Sequence, residues 1–271
     1  MSLTTRYDAM FDRLRARGEG AFGAFLMLGD PDLETSARLL AAAAEAGADM
    51  LELGIPFSDP IADGPVIQAA ADRALKGGVT PADCFALIGD FRERFPEVPV
   101  GILTYANIVV ARGREHFCGV AAQVGLDSLL VADVPVFEAE PFAATARAAG
   151  IAPVLIAAPN TPDTVLARLA DLCAGYTYCV ARAGVTGADE RLNLDHGRLF
   201  EALARVGAPP PVLGFGISRP DHVRSALAAG AAGVISGSAI VRRVADHLAD
   251  PDAMVESVSA FIREMKEATR K

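Results

Sequence analysis

The segment Leu51-Glu-Leu-Gly-Ile-Pro-Phe-Ser-Asp-Pro-Ile-Ala-Asp-Gly-Pro65 sets one carboxylate among apolar residues and two more on the turn-rich stretch that follows. Its first half has the pattern of a short strand, whose side chains alternate between two faces. Glu52 then shares a face with Met50 and Gly54, while Leu51 and Leu53 take the other. In a closed parallel barrel neither face is wet, because one fills the interior and the other packs beneath helices. A carboxylate in such a place is costly unless paired or protonated. No Lys or Arg lies between Arg38 and Arg73 to pair with it locally. Desolvation would raise its pKa toward neutrality, where a general acid/base works best. The competing reading is an ion pair with a basic residue distant in sequence.

Asp59 and Asp63 follow in a loop stiffened by Pro56, Pro60 and Pro65, each of which fixes φ. An Asp before Gly also serves as a plain turn former. Two further segments suit an anion: Gly214-Phe-Gly-Ile-Ser218, and Gly233-Val-Ile-Ser-Gly-Ser-Ala239, which opens a helix. Glycines let the backbone approach a phosphate, and a helix N-terminus offers unpaired N–H groups and a favourable dipole. Tight βα turns use glycine as well. Arg182-Ala-Gly-Val-Thr-Gly-Ala188 has the length and glycine content of a lid, or of an ordinary surface loop. Phe25, Leu103, Leu130, Ile156 and Phe215 could line a pocket for a flat aromatic group, or simply fill the core.

Positioning these residues requires an alternating framework, and the chain has one. Strand-like runs fall at residues 21–27, 50–53, 100–103, 128–131, 152–157, 176–180, 212–215 and 233–235. Helical patterns fall between them at 32–46, 81–95, 115–124, 138–149, 162–172, 195–206, 220–229 and 240–248, with flanking helices at 7–16 and 251–268. Thr80-Pro81, Thr161-Pro162, Arg219-Pro220 and Asp250-Pro251 place proline in the first helical turn. Eight strands alternating with helices, without a linker or composition break, predict an α/β fold: a single (β/α)8 TIM barrel over residues 1–271 with an extra N-terminal helix. A doubly wound open sheet has a similar pattern. In a barrel, chemistry sits at the carboxyl ends of the strands, where all the unusual segments above fall.

Composition narrows the function. The chain is 52% hydrophobic and 22% charged, with net charge −9, which argues against a nucleic-acid groove or a membrane-surface helix. Its four cysteines form no C-x-x-C pair and its four histidines are scattered, so no metal site is expected and a reducing, cytoplasmic setting fits.

The chain resembles the tryptophan synthase alpha-subunit family over nearly its whole length. Besides the 51–65 segment, the resemblance rests on Met27-Leu-Gly-Asp-Pro31, Tyr105-Ala-Asn107, Val131-Ala-Asp-Val-Pro135, Gly175-Tyr-Thr-Tyr178, Gly184-Val-Thr-Gly187, Gly214-Phe-Gly-Ile-Ser218 and Ile235-Ser-Gly-Ser-Ala-Ile240, in family order. It implies retro-aldol cleavage of indole-3-glycerol phosphate to indole and glyceraldehyde 3-phosphate, in tryptophan biosynthesis. Glu52 matches the catalytic glutamate that moves protons to indole C3 and from the glycerol hydroxyl. Asp63 matches the aspartate that holds the indole N–H and stabilises the cationic indolenine. Gly187, Gly216, Gly237 and Ser238 match phosphate binders, with Tyr178 beside them and Tyr105 on the same face, and Thr186 matches the lid threonine. Pro56, Asp59 and Asn107 match the face that meets a beta subunit in an alpha2beta2 complex. The resemblance implies no metal or cofactor here, with pyridoxal phosphate confined to the beta subunit. One departure is Ala183, where the family motif commonly has Ser. A stand-alone lyase and a chiefly regulatory binding subunit are the alternatives.

Overall fold

The computed structural model describes residues 6–180 and 196–270. Eight parallel strands form a closed barrel: β1 (Ala21–Met27), β2 (Met50–Gly54), β3 (Val100–Thr104), β4 (Ser128–Val131), β5 in two short pieces (Ala152–Pro153 and Ile156–Ala157), β6 (Thr177–Val180), β7 (Pro211–Gly214) and β8 (Gly233–Ser236). Each strand pairs with its neighbours in chain order, and β1 pairs with β8. The interrupted β5 closes the ring. Its first piece pairs with β4 and its second with β6, the switch falling at residues 154–155. There the Val154 N–H bonds back to Leu129, while the Leu155 carbonyl accepts the Tyr178 N–H.

Strand alternation sorts the core into two bodies. Phe25, Met27, Met50, Leu130, Tyr178, Val212 and Ile235 point inward and pack together. Phe22, Leu26, Leu51, Leu53, Ile102, Leu129 and Val234 point outward beneath the helical ring. A strand buried on both faces is possible because parallel sheets are covered on both sides.

The ring comprises α2 (Leu33–Glu45), α3 (Pro65–Lys76), α4 (Pro81–Arg94), α5 (Ala106–Val110), α6 (Arg114–Gln123), α7 (Glu140–Ala148), α8 (Asp163–Leu172), α9 (Gly197–Arg205), α10 (Pro220–Ala228) and α11 (Ser238–Asp246), with α12 (Pro251–Glu267) packed against α2 and α11. The barrel is as the sequence predicts, but α3 and α5 are additions to it. The apolar stripe of α3 is Ile67, Ala70, Ala71 and Ala74, and alanines contrast weakly with polar neighbours. Helix α1 (Arg6–Arg17) buries Tyr7, Met10, Phe11 and Leu14 against the interior cluster and so closes the amino end of the barrel.

Candidate active site

Glu52 sits at the third position of β2, in register with Phe25 of β1 and Gly101 of β3. It is 2% exposed. A Cβ at residue 101 would lie 2.3 Å from Ser128 Oγ and 3.0 Å from the Tyr7 hydroxyl, so glycine there makes room for those two groups, which bond each other at 2.8 Å. Tyr7 packs on Tyr176 with ring centroids 5.2 Å apart, and the Tyr176 hydroxyl donates to Glu52 Oε1 at 3.0 Å. Helix α1 therefore supplies part of the dry floor beneath the carboxylate.

Burial is the main reason that the Glu52 pKa rises to about 8; the Tyr176 hydrogen bond opposes it and the charge of Asp63 adds to it. Among the described residues no distant cation neutralises Glu52: its one hydrogen-bond partner there is a phenol.

Asp63 lies where the 55–64 loop turns into α3. The Gln68 amide donates to the Asp63 carbonyl at 2.7 Å, and the Asp63 N–H bonds to Pro60. Helix α3 is itself fixed to the loop after β1, because Arg73 grips both oxygens of Asp30 at 2.8 Å each. Burial raises the Asp63 pKa to about 6, against the lowering effect of the Tyr105 hydroxyl. That hydroxyl also accepts the Ala62 N–H at 3.2 Å, and the Tyr105 ring stacks on Phe57 at 5.4 Å, so the residue braces the loop from behind.

One cavity at the carboxyl end joins these groups. It is lined by Glu52, Asp63, Phe25, Ile67, Leu103, Tyr178, Phe215, Gly216, Ile235, Gly237 and Ser238. Leu130 and Ile156 pack in the interior but do not border it, because β4 and β5 contribute nothing to its wall. Tyr105 braces the loop rather than lining the cavity. The sequence reading missed Ile67, Ile235 and Tyr176. Tyr176 was within reach, since it stands two residues before Tyr178 and alternation sends both inward.

Two backbone features at the mouth of the cavity are of the kind that suits an anion. Phe215 and Gly216 after β7 have φ of +64° and +81°, a left-handed pair that costs a non-glycine residue about 1–2 kcal/mol. The Phe215 ring meets Tyr178 edge-on at 5.9 Å. A Cβ at residue 214 would come 2.1 Å from the Tyr178 hydroxyl, which accounts for the first glycine of the turn. Across the mouth, Gly237 precedes α11 as its N-cap and offers no side-chain cap, leaving the first N–H groups of the helix open.

Of the expected partner face, Asp59 and Asn107 are exposed at the rim, whereas Pro56 is buried within this chain. Thr186, Gly187 and Ala183 lie outside the described residues. Among the described residues no group of three His, Cys, Asp or Glu side chains is placed to hold a metal ion.

Comparison with known proteins agrees along nearly the whole chain. The family model for the tryptophan synthase alpha chain matches residues 11–270. The tryptophan synthase alpha chain of Vibrio vulnificus (strain YJ016) is 49% identical over 266 residues, covering 98% of this chain and 99% of that one. That of Escherichia fergusonii is 50% identical over 265 residues, with 98% and 99% covered. A chain from a structural study of mutual activation in the tryptophan synthase a2b2 complex of Pyrococcus furiosus superposes with a TM-score of 0.83 at 38% identity, covering 91% of this chain and 98% of that one.

Proposed function

This chain belongs to the tryptophan synthase alpha chain family, lyases that cleave indole-3-glycerol phosphate, and we propose that Glu52 and Asp63 carry that reaction within one barrel domain. The observation that supports the assignment is the placement of two carboxylates in one cavity, with no cation on either among the described residues and pKa values pushed apart to about 8 and about 6. Two carboxyl groups separated in this way divide into an acid and a standing anion near neutral pH.

Protonated Glu52 donates to indole C3, leaving the ring cationic. Ionised Asp63 accepts the ring N–H and stabilises that charge, which exists only beyond the ground state. The Glu52 carboxylate then takes the proton of the glycerol hydroxyl attached to the carbon at C3. The C–C bond breaks, its electrons restore the neutral indole, and the former alcohol leaves as the aldehyde. These steps need only proton transfer and one fixed charge, so no cofactor is assigned to this chain, and pyridoxal phosphate belongs to the beta subunit. Phe25, Leu103, Tyr178 and Phe215 hold the indole. The turn at Gly216 and the α11 N-terminus at Gly237 and Ser238 hold the phosphate, with Gly187 and the lid Thr186 assigned by family position alone.

The beta subunit docks on the rim that carries Asp59 and Asn107, beside Pro56. Ile61 (76% exposed), Phe137 (77%) and Val110 (43%) supply apolar surface in the segments that follow β2, β4 and β3. A partner there can exclude water and bias closure. A cytoplasmic location is consistent with four buried, unpaired cysteines.

The deciding experiment measures indole release from indole-3-glycerol phosphate by the purified chain, alone and during titration with beta subunit. Release that beta subunit accelerates supports the proposal. Fast release indifferent to beta subunit would identify a stand-alone lyase, and no release in either condition would leave a regulatory binding subunit.

A further inference from the structure

We infer that His222, a residue that does not line the cavity, is a positioning residue for the anion-binding turn after β7, acting through the Gly216 carbonyl. The inference rests on the reading of that turn as the phosphate site. His222 lies in the first turn of α10 and is 8% exposed. Its Nε2 is 3.1 Å from Arg219 Nη2, and its Nδ1 is 3.0 Å from the Gly216 carbonyl oxygen. A guanidinium can only donate, so Nε2 accepts and the ring proton resides on Nδ1. Nδ1–H therefore donates to Gly216; the Ser218 N–H also points at this nitrogen, at 3.3 Å, and can be accepted only by the other tautomer, which would give up both the Arg219 and the Gly216 hydrogen bonds.

That hydrogen bond orients a peptide group. In a trans peptide the C=O and N–H point in opposite directions, so drawing the Gly216 carbonyl toward α10 turns the Ile217 N–H away from it. The next carbonyl is drawn off as well, because Ser236 Oγ, fully buried, donates to the Ile217 oxygen at 2.6 Å. Among the described residues no backbone carbonyl takes the N–H of Gly216 or of Ile217. Two clamps thus remove acceptors from the turn and leave its donors unspent. A left-handed pair such as Phe215 and Gly216 persists only where its surroundings over-determine it, and His222 is one of those determinants. Burial and the charge of Arg219 hold the imidazole below its ordinary pKa, against the Gly216 bond, which keeps the donating tautomer neutral.

A purely structural role, capping α10, predicts something different, and the variants separate the two. His222→Leu fills the space without a donor. His222→Asn places an amide nitrogen close to where Nδ1 stands. Calorimetric titration of the full chain with glycerol 3-phosphate and, separately, with indole supplies the readout. His222→Leu should weaken glycerol 3-phosphate about three- to tenfold with indole binding held within about twofold, and His222→Asn should recover most of the loss. Unchanged glycerol 3-phosphate affinity in His222→Leu overturns the inference. So do equal losses for both ligands that Asn fails to rescue.

Gly237→Val tests the underlying reading independently. A Cβ there meets Phe25 at an ordinary 3.5 Å, and the rest of the side chain enters the cavity. If Gly237→Val leaves glycerol 3-phosphate binding intact, the anion-site reading itself fails. If Gly237→Val abolishes binding while His222→Leu does not weaken it, the site stands and the role of His222 falls.

Discussion

Most of the buried or half-buried carboxylates of this barrel are held by cations, among them Asp127, Glu19 and Asp49 at the amino end and Asp30, gripped by Arg73, at the carboxyl end, whereas Glu52 and Asp63 at the carboxyl end are treated in the opposite way. At the amino end Asp127, 6% exposed, accepts from Arg6 at 2.7 Å, from Arg92 at 2.6 Å and from the Val100 N–H at 2.8 Å. Nearby, Lys266 bridges Glu19 and Asp49 at 2.9 Å each. At the carboxyl end Glu52 has a phenol and Asp63 has another, with no cation beside either among the described residues. Burial of a carboxylate is common to both ends, so burial alone does not mark a catalytic group. The distinguishing feature is the missing counter-charge. A paired carboxylate ties strands and helices together. An unpaired one is held at a pKa useful for moving protons, at a cost in stability that the rest of the fold offsets.

This contrast can be broken most directly at Glu52. Glu52→Gln keeps the shape and the Tyr176 contact but cannot exchange a proton, and turnover should fall about 10²–10⁴-fold, more if both transfers use this group. An indole-release assay within about threefold of the parent would remove Glu52 from the mechanism. Asp63→Asn should lower kcat about 10²–10³-fold with a smaller change in KM, because its charge matters once the ring is cationic. A change confined to KM would make Asp63 a ground-state binder.

The amino end should behave inversely. Asp127→Asn strands Arg92, which is 12% exposed, and should cost about 3 kcal/mol in denaturant unfolding while leaving turnover per folded molecule nearly unchanged. Lost turnover without lost stability would erase the division between the two ends.

The smallest expected effect is in pH dependence. Both pKa values are raised, so the working form, protonated Glu52 with ionised Asp63, prevails above about 6 and below about 8. The profile of kcat/KM should be bell-shaped between those limits, each limb falling about tenfold per pH unit. Glu52→Gln should lose the alkaline limb in whatever activity remains. A profile flat from pH 5 to about 9 would contradict the assignment.

Local pattern determined a good deal of this protein. Period-two alternation put Glu52 on one face with Met50 and separated it from Leu51 and Leu53, and closure of the sheet made that face the barrel interior. Proline spacing fixed the 55–64 loop, and glycine-rich turns after β7 and β8 marked the anion end. These features are legible because each depends on residues a few positions apart. The environment of those residues is not local. Tyr176 reaches Glu52 across 124 residues of sequence, and Tyr7 reaches Ser128 across 121. The dryness that raises the Glu52 pKa exists only once α1 closes the barrel floor and β5 closes the ring. Alanine-rich α3, which places Asp63, carried too little hydrophobic contrast to be seen. His222 gave no signal either, since its role is set by a carbonyl that left-handed backbone turns toward it. Sequence therefore named the carboxylates, and tertiary structure alone decided which would lack a counter-charge, because desolvation and ion pairing depend on what chain closure brings together.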